Sequence, residues 1–342
     1  MKTEIAITGM CVLSSAGETA SILCEQSVSG KTIKPQIEIQ AYENAMNSID
    51  TGSHELYRIQ KLLLSTFLKA SQMAKLSAGL VQPERIGIFL GNSYGLEGFK
   101  ADFFRCYKKS DPALTRPTLF PFTNANALAS WLAIQIKAKG PNLTFVNGCT
   151  SSSEAVLAAC DALVYNECEV AFVGGINLAD HDLSDEFYVS GFRYESAGML
   201  VLEKSNSAGN SKRKPLVFLQ DFQAGILTQE DLQKIKSEKS ISSIDNERFD
   251  RFKAFSTEVI NLGNNLGESA FKYNKSVFEI IKEKRKILSL GDVAGNLFDT
   301  AGIFGIALSI ESLNAFNISR KNIVFSNIDS SGHIVTMLID KG

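Results

Sequence analysis

The sequence has no basic block, no run of roughly 18 or more apolar residues, and no cysteine pair at CxxC spacing. Lys and Arg number 35 against 37 Asp and Glu, a net charge of -2, so no nucleic-acid surface is expected. Without a long apolar run, no membrane span is expected either. The six cysteines, at 11, 24, 106, 149, 160 and 168, form no metal-ligand spacing with histidine. Histidine is scarce, at positions 54, 181 and 333 only. The opening Met-Lys-Thr-Glu-Ile-Ala-Ile reads as a strand rather than a signal peptide, which points to a reducing cytoplasm. What remains is 342 residues, 44% hydrophobic and 21% charged. That supports a large core, in two domains or one duplicated unit.

The most informative stretch is Gly140-Pro141-Asn142-Leu143-Thr144-Phe145-Val146-Asn147-Gly148-Cys149-Thr150-Ser151-Ser152-Ser153. A Gly-Pro turn opens it. A β-rich run follows at 143–146, then Asn-Gly, one cysteine and small hydroxyl residues leading into an Ala-rich helical pattern. This predicts strand, sharp turn and buried helix, with the thiol at the helix N-terminus. There the backbone N–H groups and the helix dipole favour a thiolate. A thiolate so placed suits attack on a thioester.

The stretch resembles the nucleophile elbow of the β-ketoacyl synthases, the thiolase-fold condensing enzymes. The likeness is strongest over 140–153 and continues through Gly174-Gly175. Strand-helix alternation with a break near 206–214 argues α/β by itself. The resemblance adds a five-layer α-β-α-β-α fold built from two duplicated halves, 1–205 with the elbow and a shortened 206–342.

In chain order, strands are expected at 2–8, 85–91, 143–146, 169–174, 197–203, 215–222 and 286–290, with a closing hairpin of 322–327 and 334–340. Helices are expected at 18–30, 55–76, 155–164, 228–239 and 302–316. An irregular loop is expected over 32–53, and Gly-rich turns at 9–17 and 174–175. Segment 119–136 reads as a Phe-Pro-Phe turn and an apolar helix. In the family that segment lies at the dimer seam beside the acyl tunnel. Phe120 and Phe122 therefore read either as tunnel stoppers or as core, and Trp131 as an interface residue.

The resemblance also exposes gaps. A decarboxylating condensing enzyme needs the cysteine to carry the acyl chain and two imidazoles to stabilise an enolate. The region matching the first imidazole, 241–247, has no histidine. Where the second belongs, Ala294-Gly295-Asn296-Leu297-Phe298-Asp299-Thr300-Ala301-Gly302 offers Asn296. The family has a Gly-Glu-Gly turn before its 197–203 strand, and here Arg193-Tyr194-Glu195-Ser196 stands there. The Gly-Phe-Gly-Gly gate is replaced by Asp329-Ser330-Ser331-Gly332-His333, with His333 read as a solvated turn residue. The resemblance thus implies a chain length factor of a type II polyketide synthase, of aromatic polyketide or aryl polyene type. It would pair as a heterodimer with a catalytic ketosynthase subunit supplied by a phosphopantetheinylated acyl carrier protein, and would need no cofactor. Two alternatives stay open. One is an active β-ketoacyl-ACP synthase or acyltransferase using Cys149, and the other a homodimeric acyl-binding relic.

Overall fold

The computed structural model describes residues 4–14, 57–77, 79–109, 117–178, 195–205, 213–226, 259–262, 286–289, 297–315, 322–329 and 333–342. The helices expected at 18–30 and 228–239, the 32–53 loop and most of the 206–214 seam lie outside these residues.

The described elements are α/β, as expected. The strands are β1 (Ile5–Ser14), β2 (Ile86–Gly91), β3 (Asn142–Phe145), β4 (Val170–Asn177), β5 (Ser196–Lys204), β6 (Val217–Ile226), β7 (Val259–Leu262), β8 (Lys286–Ser289), β9 (Asn322–Ile328) and β10 (His333–Asp340). The helices are α1 (Arg58–Met73), α2 (Glu97–Lys109), α3 (Ala127–Ile136), α4 (Ser151–Val164) and α5 (Ala301–Ala315). The strands form one sheet in the order β3-β2-β4-β5-β1-β6-β10-β9-β7-β8.

That order is a palindrome. From the middle outward, each wing presents its first, fifth, fourth, second and third strand. The directions repeat too. In each wing the second strand is parallel to the third and fourth, and the fifth is antiparallel to the fourth and first. The wings join where β1 pairs with β6 at Ile5–Leu219, Ala6–Phe218 and Ile7–Val217. In each wing one helix enters between the third and fourth strands: α4 in the first, α5 in the second.

Strand β1 shows how the layers arise. A bulge between Ile7 and Gly9 shifts its register against β5. Before the bulge Ile5 and Ile7 face the inner core, and after it Met10 and Val12 do. Cys11 and Leu13 then face the outer core. One inserted residue flips the parity of every later side chain. The inner core joins α4 and α5 to the inner faces of both wings. The outer core packs α1 and α3 on the first wing. Both faces of the central strands are covered, so they read as continuous apolar runs.

Two expected turns are strand instead. The 9–17 segment stays extended through Ser14, because β1 pairs with β5 that far. Gly9 is needed for contact with α1: a Cβ there would lie 2.2 Å from the Ala70 carbonyl oxygen. Gly174 and Gly175 lie inside β4, where a Cβ on Gly175 would lie 2.5 Å from the Asp299 carbonyl oxygen. These glycines mark close approach, not chain reversal. Strand β7 and helix α2 are additions to the expected elements.

Two ion pairs bind the first wing. Arg58 at the start of α1 grips Glu195, just before β5, through Nε–Oε1 at 2.6 Å and Nη2–Oε2 at 2.7 Å. At the far end of β5, buried Glu203 pairs with Arg213 (Nε–Oε1 3.0 Å) and accepts the Thr8 hydroxyl at 2.7 Å.

Candidate active site

The predicted strand, turn and helix are all present. After β3 the chain makes a one-turn 3-10 helix, Gly148–Thr150, then enters α4. Gly148 has φ 58°, a value that favours glycine. The turn is held from several sides. The Gly148 amide donates to Ser93 Oγ at 2.9 Å and the Asn147 amide to Ser151 Oγ at 2.9 Å. Ser151 Oγ donates to the Gly148 carbonyl at 2.6 Å. Small residues at the start of α4 let its backbone approach both β2 and α5. A Cβ on Gly91 would lie 2.4 Å from the Ser152 nitrogen, and one on Gly302 2.5 Å from the Ser153 nitrogen.

Cys149 sits in the middle of this turn and is fully buried. The other wing holds it from below: buried Asn327, on β9, donates its Nδ2 to the Cys149 carbonyl at 2.7 Å and to Ser153 Oγ at 2.9 Å. The surroundings run against the expected thiolate. Burial pushes the Cys149 thiol well up from its ordinary value, and the charges of Asp299 and Asp329 push it further. Desolvation disfavours the charged form of a thiol, and like charges nearby add to that.

Asp299 lies in a matching turn, Phe298–Thr300, ahead of α5. It is fully buried, and its Oδ2 accepts the Tyr94 amide at 2.7 Å. Its Oδ1 is buried without a hydrogen-bond partner. Burial raises this carboxyl to about 6, against the nearby Tyr94 and Ser93 amides and the Ser93 and Ser151 hydroxyls, which favour the charge. The Tyr94 ring stands edge-on to Phe298, centroids 5.3 Å apart. Asp329 follows β9, and its Oδ1 accepts the His333 amide at 3.0 Å. His333 Nδ1 lies 3.3 Å from Asp329 Oδ2. Expected as a solvated turn residue, His333 is instead the half-buried first residue of β10. A Cβ on Gly148 would stand 3.7 Å from both Asp329 Oδ2 and Tyr94 Oη, so these groups close over the turn.

Cys149 is therefore the one predicted catalytic residue that lies in this cluster. Asn296, segment 241–247, His54 and His181 fall outside the described residues. The three seam residues separate. Phe122 packs with Tyr57 and Phe99, centroids 5.2 Å from each. Trp131 is half-buried against the outer core. Phe120 is 58% exposed and touches Phe103. Among the described residues the first wing ends in β3, whose Leu143 is exposed, and Ile134 of α3 is 72% exposed.

Asp299, Asn327, Asp329, Ser93 and Tyr94 were not singled out as site residues from sequence. For Asp299 a signal existed: a carboxylate among small and apolar residues, two positions before an apolar helix. For the rest, only long-range pairing brings them to Cys149.

Residues 24–188 match the model of the β-ketoacyl synthase N-terminal domain. Over 124 residues, 36% of the chain, it is 27% identical to polyketide synthase 37 of Dictyostelium discoideum, and it spans 4% of that protein's length. Among solved structures it resembles a chain of the AntDE:AntF complex, described as a type II PKS acyl-carrier protein in complex with its ketosynthase bound to the hexaketide. There the TM-score is 0.78 at 14% identity, covering 99% of this chain and 100% of that one. It resembles the ishigamide ketosynthase/chain length factor at TM-score 0.77 and 16% identity, covering 99% of each chain. The fold is that of the thiolase-like ketosynthases, and the family model together with these structures supports a ketosynthase-type family. Among the described residues, no helix is long and apolar enough to cross a membrane.

Proposed function

We propose that the chain is a ketosynthase-like subunit of the chain-length-factor kind. It pairs with a catalytic ketosynthase and shapes the tunnel for a polyketide chain carried by an acyl carrier protein. Its two wings correspond to repeats of 1–205 and 206–342. The observation that carries the reading is the state of Cys149: fully buried, its thiol pushed up by burial and two carboxylates. The sequence adds that 241–247 has no histidine and that Asn296 stands where a second imidazole would be needed. A subunit so equipped acts through a neighbour.

The exposed rim of the first wing supports a seam. Strand β3 is a sheet edge, and apolar Leu143, Val146 and Ile134 are exposed beside it. Unpaired apolar edges are normally covered, and stable interfaces are large and apolar at their centre. Trp131 is a poorer probe of that seam than Ile134, because it packs on the chain's own core.

The test is co-expression with a catalytic ketosynthase, followed by size exclusion and a condensation assay. Co-purification that Ile134→Asp abolishes, with no condensation by the isolated chain, is the expected result. A well-folded homodimer that ignores the ketosynthase would overturn the pairing. The second reading, an active synthase or acyltransferase using Cys149, has one observation behind it: His333, paired with Asp329, lies beside the cysteine turn. Condensation by the isolated chain, lost in Cys149→Ala, would establish that reading instead.

A further inference from the structure

We infer that Asp299 and Asp329 form a carboxylate lock beside Cys149, which turns away acyl thioesters that carry a carboxylate of their own. The inference rests on the non-catalytic reading above and gives it a cause beyond missing imidazoles. The silence is built in by residues that are present.

The geometry comes from both wings. Asp299 stands in the turn before α5, two residues ahead of the helix, as Cys149 stands two residues ahead of α4. Its carboxylate is fixed by the Tyr94 amide through Oδ2, its Oδ1 is buried, and no cationic side chain is among the groups that act on it. Asp329 is fixed by the His333 amide, with its other oxygen near Gly148. Both charges raise the thiol's pKa, after burial itself. The other charged groups near the turn are already engaged. Glu154, on the first turn of α4, accepts the Thr150 hydroxyl at 3.0 Å and the Asn147 amide group. His333, on β10, lies against Asp329.

A condensing site needs donors aimed at a developing oxyanion. This centre presents acceptors. A thioester with a carboxylate one carbon from the carbonyl, of the malonyl class, would bring a third negative charge into a desolvated place. Like charges there are unfavourable because water no longer screens them. A neutral acyl thioester meets no such barrier, although the thiol still resists attack.

The experiment alkylates the full chain, in complex with its ketosynthase if one co-purifies, with two probes of nearly equal size. Iodoacetamide is neutral and iodoacetate is anionic. In either case a carbon–sulfur bond forms, iodide leaves and the thiol proton goes to solvent. Peptide mass spectrometry follows Cys149, with half-buried Cys106 of α2 as the internal reference. Burial slows both reagents at Cys149, so the ratio of the two rates reports the electrostatics. Iodoacetamide is expected to outpace iodoacetate at Cys149 by about tenfold more than at Cys106. Asp299→Asn and Asp329→Asn keep the shape and remove one charge each. Each is expected to raise the iodoacetamide rate about tenfold at pH 7 and to narrow the probe ratio. A merely structural role for the aspartates would not move that ratio.

A probe ratio at Cys149 equal to that at Cys106 overturns the lock, and this requires no variant. So do unchanged rates in whichever variant keeps the native melting transition. Failure of the lock with the partner still co-purifying leaves the subunit reading standing. Condensation by the isolated chain sinks that reading separately.

Discussion

The turn at Gly148–Thr150 and the turn at Phe298–Thr300 share one backbone design and carry opposite chemistry. Each begins with a residue at positive φ, 58° at Gly148 and 40° at Phe298. Each closes with a threonine whose hydroxyl bonds the carbonyl three residues back, Thr150 to Asn147 at 2.9 Å and Thr300 to Leu297 at 2.7 Å. Each leads into a buried helix. Yet the middle residue is a cysteine in one and an aspartate in the other. Each turn also takes support from the opposite wing, Cys149 from Asn327 and Asp299 from Tyr94. The lesson is that two wings of the same strand order can share a turn's geometry while its chemistry differs. Here the second wing supplies charge against the first wing's thiol. Phe298 shows the same divergence in packing: a bulky residue at positive φ costs on the order of 1–3 kcal/mol, offset here by its contact with Tyr94.

The comparison is most easily broken where the wings meet. Arg213 neutralises Glu203 at the end of the first wing, and both are buried. Arg213→Met leaves that carboxylate buried without its counter-ion, with only the Thr8 hydroxyl on it, at a cost of about 3–5 kcal/mol. Urea unfolding is the measurement, and a loss under about 1 kcal/mol would mean that the pair is replaceable.

The contrast between the two turns is sharpened by pH. The Asp299 carboxyl is held at about 6 against an ordinary 3.8. Its folded-state value is raised, so its contribution to stability is fully present below about pH 4 and is lost as pH rises through about 6. A shift of about two units corresponds to about 3 kcal/mol. Asp299→Asn removes this dependence, and the variant is expected to gain stability relative to the native chain as pH rises from 4 to 7. Parallel melting-temperature profiles for the two proteins across that range would refute the assignment.

A smaller contrast lies within the first wing, between Phe122 and Phe120. Phe122→Ala is expected to cost about 2 kcal/mol, since it opens space beside Tyr57 and Phe99. Phe120→Ala is expected to stay within about 0.5 kcal/mol of the native chain. In a reconstituted pair, Phe120→Ala is the change expected to lengthen the product, read by mass spectrometry. A large drop in melting temperature with unchanged length would assign Phe120 to packing as well.

Much of this was legible in the order of residues. Segment 140–153 gave the strand, the turn, the cysteine and the helix, because each is set by local spacing. The runs at 85–91, 169–174 and 197–203 gave the central strands to within a few residues of their ends, because burial on both faces demands largely apolar sequence. Gly9 and the Gly174-Gly175 pair read as turns, since a glycine required by close packing looks the same in sequence as one required by a bend. Helix α2 was missed because its aromatic residues, Phe99, Phe103 and Phe104, are interrupted by charges.

By itself, then, the sequence determined that Cys149 would stand in a sharp turn before a buried helix, because backbone geometry follows from neighbouring residues. The electrostatic surroundings of that cysteine were decided only by the tertiary structure. Asp299 and Asp329 lie 150 and 180 positions away along the chain. They reach the thiol because the second wing folds back on the first, and a buried charge acts over distance in space rather than along the sequence.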